Sequence, residues 1–166
     1  MPEDHPAIVD QLRAALRSFP TGVTVVAADV DGTRCGLTIS AFTSVSLEPP
    51  TVLFCVNSAS KSHDVLLKAD QVGISLLAGS QADIAMTFAT AGADKFGAVD
   101  WAAGRTGSPL ISGAAAHLEG TVVDRHSIGT HTVFIVKVAD AVGHGRDPLV
   151  YFERRFVHGE ILAESR

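Results

Sequence analysis

Hydroxyl side chains crowd the segment 36–46, which has the sequence GLTISAFTSVS. They belong to Thr38, Ser40, Thr43, Ser44 and Ser46. Hydroxyls and unblocked backbone amides can hold a phosphate group without a net positive charge. The residues alone also allow an ordinary strand that leads into a Ser/Thr turn, because such side chains favour turns for local reasons.

A second polar segment, 57–63 (NSASKSH), precedes a predicted helix. Ser60 or Ser62 could cap that helix, and Lys61 places a cation beside the amides at its N-terminus. This arrangement suits a phosphate, although a plain N-cap with a solvated lysine is the alternative. The two hydroxyl-rich segments flank one predicted buried strand, which favours a binding site.

His131 stands at the entrance of a predicted strand, within the segment 129–134 (GTHTVF). Its imidazole could lie at the mouth of a barrel and take part in chemistry there. A structural, hydrogen-bonded histidine is the alternative.

Several catalytic motifs are missing from the sequence. It has neither an HExxH pattern nor paired histidines at short spacing, so we expect no metal site. It has no GxSxG elbow, which disfavours a Ser/His/Asp hydrolase, and no GxGxxG turn of the Rossmann type. Cys35 and Cys55 stand outside any CxxC pair and are expected to be buried thiols.

Apolar spacing and turn residues predict a β-rich fold with about seven strands and three short helices. The predicted strands cover 21–28, 34–42, 51–56, 72–77, 117–123, 132–141 and 149–152, and the helices cover 7–18, 63–69 and 81–89. The Gly- and Ala-rich segment 92–113 is expected to be a long surface loop that could form a lid or a dimer contact. Short strands joined by hairpin signals favour an antiparallel barrel over an alternating βαβ arrangement.

Length and charge narrow the classes of protein. The 166 residues and their 46% hydrophobic content suit one compact domain, 1–166, with its core at about 19–156. The formal charge of −5, without a dense basic run, makes nucleic acid a poor partner. No stretch is apolar for long enough to be a signal peptide or a membrane span, so we expect a cytoplasmic protein with no membrane partner.

Seven sequence segments stand in the order of a known family. They are FPTGVTVVAA, GLTISAFTSVSLEPPTVLFCVN, SASKS, DKFGAVDW, GSPLISGAAAHLEG, GTHTVFIVKV and PLVYFERRF. Together they resemble the flavin reductase family of FMN-binding split barrels, the small reductase components of two-component flavin-dependent monooxygenases. The resemblance implies a mainly β fold, an antiparallel Greek-key split barrel with short helices that forms a homodimer.

The resemblance also assigns residues to a flavin site. One segment would hold the isoalloxazine and the phosphate end of the flavin. Its residues are Thr38, Ile39, Ser40, Ala41, Thr43 and Ser44, and Val56 on the next strand would also contact the flavin. Asn57, Ser60, Lys61 and Ser62 would complete the phosphate site, and Phe96 would lie near the flavin.

His131 and Tyr151 would border the side where nicotinamide stacks, with His131 as the catalytic candidate that positions the nicotinamide. The chain departs from the family pattern at two places. Ser40-Ala41 stands where two serines are frequent, and Thr130 stands where an aspartate often precedes the histidine.

The implied activity is that of an NAD(P)H-dependent flavin reductase that supplies reduced flavin to a partner monooxygenase. The implied cofactors are FMN or FAD and NADH or NADPH. One alternative on the same fold is a flavoprotein that retains its flavin and reduces another acceptor, such as a corrinoid. Another is a non-catalytic module that binds flavin or haem.

Overall fold

The computed structural model describes residues 6–92 and 94–157. Within them lie helices α1 (Pro6–Leu16), α2 (His63–Lys68) and α3 (Ala82–Ala89), and a 3-10 helix at Phe96–Ala98. The strands are β1 (Thr21–Gly22), β2 (Thr24–Val30), β3 (Thr33–Ile39), β4 (Phe42–Leu47), β5 (Pro50–Asn57), β6 (Gln71–Leu76), β7 (Trp101–Ala103), β8 (Pro109–Ile111), β9 (Ala116–Ile128), β10 (His131–Gly143), β11 (Val150–Phe152) and β12 (Arg155–Val157).

The predicted hairpin around Asp31 and Gly32 is confirmed. Both residues have positive φ, 51° and 81°, as a two-residue turn between twisted strands requires. The Asp29 carboxylate accepts a hydrogen bond from the Gly32 amide at 3.0 Å and fixes the turn. Strands β2 and β3 are therefore held in register from Thr24 opposite Ile39 to Val30 opposite Thr33.

Seven strands form one antiparallel sheet in the order β3-β2-β6-β9-β10-β5-β4. Its two outermost strands, β3 and β4, are joined only by Ser40 and Ala41. Such a short link requires the sheet to curl so that its two edges approach each other. The Cys55 amide donates to the Ala41 carbonyl at 3.0 Å and extends the β4–β5 pairing into this link. The predicted mainly β, antiparallel barrel is confirmed.

Two apolar cores lie on opposite faces of β2. Val26 and Ala28 face the barrel interior, where Phe54 stacks on Phe134 with ring centroids 5.0 Å apart. The alternate residues of β2 belong to a second core, which also contains Val23, Val25, Ala27, Leu77, Ala85, Phe88, Phe96, Ile111 and Leu149. Because side chains of a strand point alternately to its two faces, the central residues of β2, Val25 to Ala28, are all apolar.

The long surface loop predicted at 92–113 is wrong. The segment contains the 3-10 helix and a hairpin of β7 and β8, and it buries Phe96 and Ile111 in the second core. Gly73 makes this packing possible, since a Cβ atom there would collide with the Pro109 carbonyl. The segment therefore forms part of the body of the molecule.

Other boundaries also differ from the prediction. The strand predicted over 34–42 ends at Ile39, and the unpredicted strand β4 begins at Phe42 and pairs with β5. Strands β9 and β10 extend through the polar stretch 124–131 to a turn at 129–130. Cys35 is buried as predicted, but Cys55 is only partly buried.

Helix α1 agrees with the predicted N-terminal helix but ends at Leu16. Its apolar residues Ile8, Leu12 and Leu16 are exposed. No helix among residues 6–92 and 94–157 is long and apolar enough to cross a membrane.

Candidate functional site

A cavity of about 770 Å³ lies alongside strand β3. Its walls come from β3, the turn after β5, the end of α3 and the segment that leads into the 3-10 helix. The lining residues are Thr33 to Thr38, Asn57, Ala59 to Ser62, Val65, Phe88 to Gly92 and Asp94 to Phe96. The volume is typical of small-molecule sites.

Gly36 lies at the centre of this wall. A Cβ atom there would lie 2.7 Å from a ring carbon of Phe88 and 2.9 Å from one of Phe96. Only glycine therefore lets these two rings pack against β3, where they form the apolar floor of the cavity. The Gly36 carbonyl accepts hydrogen bonds from the Ser62 hydroxyl and the Lys95 ammonium group, each at 3.3 Å. One backbone group thus positions a hydroxyl and a cation beside the cavity.

Local hydrogen bonds shape the turn at 57–62. The Asn57 side-chain oxygen accepts from the Ala59 amide at 2.9 Å, and the Ser60 hydroxyl accepts from the Ser62 amide at 3.3 Å. Ser62 occupies the N-cap position of α2, but its side chain makes no cap bond there. Its backbone is already helical, at φ −79° and ψ −14°, so the predicted capping role is wrong and its hydroxyl points to Gly36 instead.

Three cations border the cavity, which favours an anionic ligand. Lys95 donates to the carbonyls of Gly36 and Phe88, and burial lowers the pKa of its ammonium group, an effect that Cys35 opposes. An ammonium group has three donors, so Lys95 keeps one for a ligand. Lys61 is exposed at the rim, and Arg34 lies at the hairpin end of β3.

Two acidic or potentially acidic groups also line the cavity. The Asp94 carboxylate accepts from the Gly97 amide of the 3-10 helix at 2.9 Å. Burial raises the pKa of the Cys35 thiol to about 11, so this group is neutral at physiological pH. Neither group removes the excess of positive charge along the wall.

Aromatic rings fix the guanidinium group of Arg34. Its central carbon lies 4.1 Å from the centroid of the Trp101 ring and 5.5 Å from that of Phe96. One guanidinium nitrogen lies 3.1 Å from the Asp29 carboxylate. The planar group is therefore held in one orientation at the edge of the cavity.

Six residues predicted from the sequence line this cavity. They are Thr38, Asn57, Ser60, Lys61, Ser62 and Phe96. Ser40, Ala41, Thr43 and Ser44 lie outside its lining, exposed at the junction of β3 and β4 and on β4 itself. The side chains of Ile39 and Val56 are buried in the barrel core, so only their backbone groups can meet a ligand.

His131 is the first residue of β10 and pairs with Asn57 of β5. Its Nδ1 lies 3.0 Å from the Thr130 hydroxyl, which thus occupies the place of the expected aspartate. Tyr151 lies on another sheet, opposite Thr21, with its ring 5.6 Å from that of Phe156. Neither His131 nor Tyr151 is among the lining residues of the cavity, and only Asn57, the strand partner of His131, belongs to them.

Sequence reasoning missed Arg34, Phe88 and Lys95 as cavity residues. Lys95 stands in the DKF segment beside Phe96, and its position there was the available signal. Arg34 carried no local signal, because Trp101 and Phe96 meet it only in the folded chain.

The chain is similar to known proteins in sequence and in fold. A family model described as the flavin reductase like domain matches residues 16–160. A solved structure, the NADH:FAD oxidoreductase of Streptomyces globisporus C-1027 in complex with NAD and FAD fragments, superimposes with a TM-score of 0.89 at 37% identity, covering 96% of this chain and 98% of that one.

Two curated relatives are also similar. The reductase component of the 4-nitrophenol 4-monooxygenase/4-nitrocatechol 2-monooxygenase of Rhodococcus opacus is 40% identical over 148 residues, which cover 89% of this chain and 80% of that protein. A probable flavin reductase of Rhizobium meliloti is 40% identical over 141 residues, which cover 84% of this chain but only 45% of that protein. The resemblance and the split-barrel fold are thus confirmed, and the chain belongs to the flavin reductase like domain family.

Proposed function

We propose that this chain is an NADH-dependent flavin reductase that supplies reduced flavin to a partner flavin-dependent monooxygenase. The observation that carries the proposal is the cluster of Ser60, Ser62, Lys61 and Lys95 around the Gly36 wall, within the fold of this family. The similar proteins from Rhodococcus and Streptomyces support it, since one is named as a monooxygenase reductase component and the other as an NADH:FAD oxidoreductase. We prefer NADH to NADPH for the same reason.

The cavity fits the phosphate end of a flavin. The hydroxyls of Ser60 and Ser62 and the ammonium groups of Lys61 and Lys95 supply the donors that a phosphate needs. The hydrophobic ring of Phe96 and the apolar floor below Gly36 exclude water from one side. The residues present therefore match a phosphate-bearing ligand of moderate size.

The isoalloxazine belongs, in this proposal, at the other end of β3. That strand leads from the cavity directly into Ser40 and Ala41, and β4 continues with Thr43 and Ser44. Exposed hydroxyls and backbone groups there can meet the polar edge of the ring system. The backbone of Ile39 and Val56 lies beside this segment.

The bound flavin supplies the redox chemistry by accepting a hydride from reduced nicotinamide. The task of the protein is to bind and orient the two rings, and this explains the absence of a nucleophilic triad from the sequence. His131, held by the Thr130 hydroxyl, is proposed to position the nicotinamide, with Tyr151 bordering the same side.

We also propose a homodimer in the cytoplasm, where reduced nicotinamide is regenerated, with 1–166 as one domain. Apolar side chains on α1 and β4 support association of two copies. Leu12, Leu16, Val45 and Leu47 are 57%, 57%, 53% and 84% exposed in a single chain, a pattern that marks protein interfaces.

Anaerobic mixing of the purified chain with NADH and free flavin tests the proposed reaction. Loss of the absorbance of NADH should match loss of the absorbance of oxidised flavin mole for mole, because one hydride reduces one flavin. NADPH in place of NADH should react more slowly. Flavin that stays oxidised while the chain is present would contradict the proposal.

A further inference from the structure

Arg34 presents a flat cation to the cavity. The 4.1 Å separation from the Trp101 centroid places one face of the guanidinium group against the indole. Its side chain remains 36% exposed and lines the cavity. The exposed part of the side chain is therefore available to a ligand in the cavity, and guanidinium planes are good stacking surfaces for nucleobases.

The charge of Arg34 is already partly compensated. Its Nη2 lies 3.1 Å from the Asp29 carboxylate, which also fixes the β2–β3 turn. The paired group thus offers less attraction to a distant anion than Lys61 or Lys95. Its remaining feature is a rigid plane, which suits a ring more than a second phosphate.

The order of the residues along β3 predicts how the ligand lies along this strand. Gly36, beside the proposed phosphate cluster, lies two residues from Arg34, or about 7 Å at the usual rise per residue of a strand. Ser40 lies four residues from Gly36 in the opposite direction, or about 13 Å. The order along the strand is therefore ring segment, phosphate cluster and Arg34.

A flavin dinucleotide has the same order of parts: isoalloxazine, ribityl chain, two phosphates and adenosine. FMN ends at its single phosphate and would leave the region of Arg34 empty. We propose that Arg34, stacked on Trp101, forms an adenylate subsite that makes this chain select FAD over FMN. The inference rests on the proposed function and adds the substrate class of that site.

Substitution of Arg34 separates stacking from charge. In Arg34→Leu, the dissociation constant of FAD should rise about tenfold, as expected for the loss of one stacked base, while that of FMN changes little. Arg34→Lys keeps the charge but loses the planar group. It should therefore distinguish FAD from FMN almost as poorly as Arg34→Leu. Titration of flavin fluorescence measures both constants.

Arg105→Leu is the matched control. Arg105 also pairs with an aspartate at 3.1 Å, Asp140, but its side chain is 78% exposed and lies outside the cavity lining. This variant should keep the wild-type ratio of FMN to FAD dissociation constants. Thermal unfolding of each variant checks that the fold is retained.

An adenylate is also present in NADH, and a second measurement distinguishes the two sources. KM is compared for NADH and for reduced nicotinamide mononucleotide, which lacks adenosine. A selective rise in KM for NADH in Arg34→Leu, with an unchanged FMN-to-FAD ratio, would assign the adenylate to NADH and overturn the FAD assignment.

Equal weakening of FAD and FMN, or no change in either, would also overturn the subsite while leaving flavin reduction intact. A wild-type chain that binds no flavin would instead contradict the proposed function itself.

Discussion

The carbonyl oxygen of Gly36 organises the site at the scale of single residues. It accepts from both Ser62 and Lys95, and the absence of a side chain lets Phe88 and Phe96 approach. Lys61 differs from Lys95 because it is exposed and makes no such backbone contact with the part of the chain that the structure describes. Its charge is therefore free to bind a ligand phosphate.

Lys61→Ala tests this role of the exposed lysine. We expect about a tenfold rise in the dissociation constants of FMN and FAD, the usual cost of losing a charge-assisted hydrogen bond, and little change for riboflavin, which has no phosphate. Lys68→Ala is the control, since Lys68 lies exposed in the last turn of α2 outside the cavity. Equal weakening of all three flavins would remove Lys61 from the phosphate site.

Residue chemistry determined how far the site could be predicted. Ser60, Lys61 and Ser62 are adjacent in the sequence, so their shared chemistry was visible before the fold was known. Arg34 and Lys95 are 61 positions apart and come together only because the segment 94–98 folds back on β3. Local sequence patterns do not predict contacts between residues so far apart in the chain.

The β7–β8 hairpin is the element that supports the Arg34 stack, because it begins with Trp101. Glu119 of β9 holds its connection. The carboxylate accepts from the amides of Arg105 and Thr106, each at 2.8 Å, and from the Thr106 hydroxyl. Burial favours the neutral acid, but these hydrogen bonds and the charge of Arg105 outweigh it and lower the Glu119 pKa below its ordinary value of 4.5.

A lowered pKa in the folded chain gives a defined pH dependence. The ionised carboxylate stabilises the fold above the ordinary pKa of 4.5, and this contribution is lost as pH falls through the lower folded value. Glu119→Gln should lower the free energy of unfolding by about 2 kcal/mol near neutral pH, because a buried hydrogen-bonded acceptor is lost. The difference from wild type should shrink in acid.

Urea unfolding at a series of pH values measures this difference. Glu153→Gln is the control, because Glu153 is exposed and its one ion pair within residues 6–92 and 94–157 is with Arg155. A Glu119→Gln deficit that stays constant from neutral pH into acid would contradict the ionised role of Glu119.

Turn chemistry explains which elements could be predicted. The Asp31-Gly32 pair adopts the positive φ angles that its sequence favours, so the β2–β3 hairpin was evident. The β7–β8 hairpin depends on Gly73, Glu119 and the second core, all distant in sequence. Its Gly- and Ala-rich composition alone indicated a loop.

The molecule has a closed barrel with a fully buried core, but several large apolar side chains on its outer surface are exposed. Phe54 and Phe134 are fully buried inside, whereas Leu12 of α1 and Leu47 of β4 are more than half exposed. Covering these apolar side chains would remove them from water and stabilise the protein. A second copy of the chain can cover them through a self-complementary surface. Exposed apolar side chains, and not the buried core, therefore favour the proposed dimer.

Light scattering measures the mass of the assembly directly. A homodimer should have about twice the chain mass of 17.3 kDa over a wide range of concentrations. A mass equal to one chain throughout that range would contradict the dimer, without affecting the assignment of the cavity.

Hydride transfer from NADH to free flavin defines the proposed enzyme, and anaerobic mixing measures it. With a small amount of chain and an excess of NADH and FAD, both absorbances should fall together, mole for mole, far beyond the amount of chain present. That result requires release of each reduced flavin. Reduction that stops at one flavin per chain, or that does not occur, would contradict the proposed release of reduced flavin to a partner.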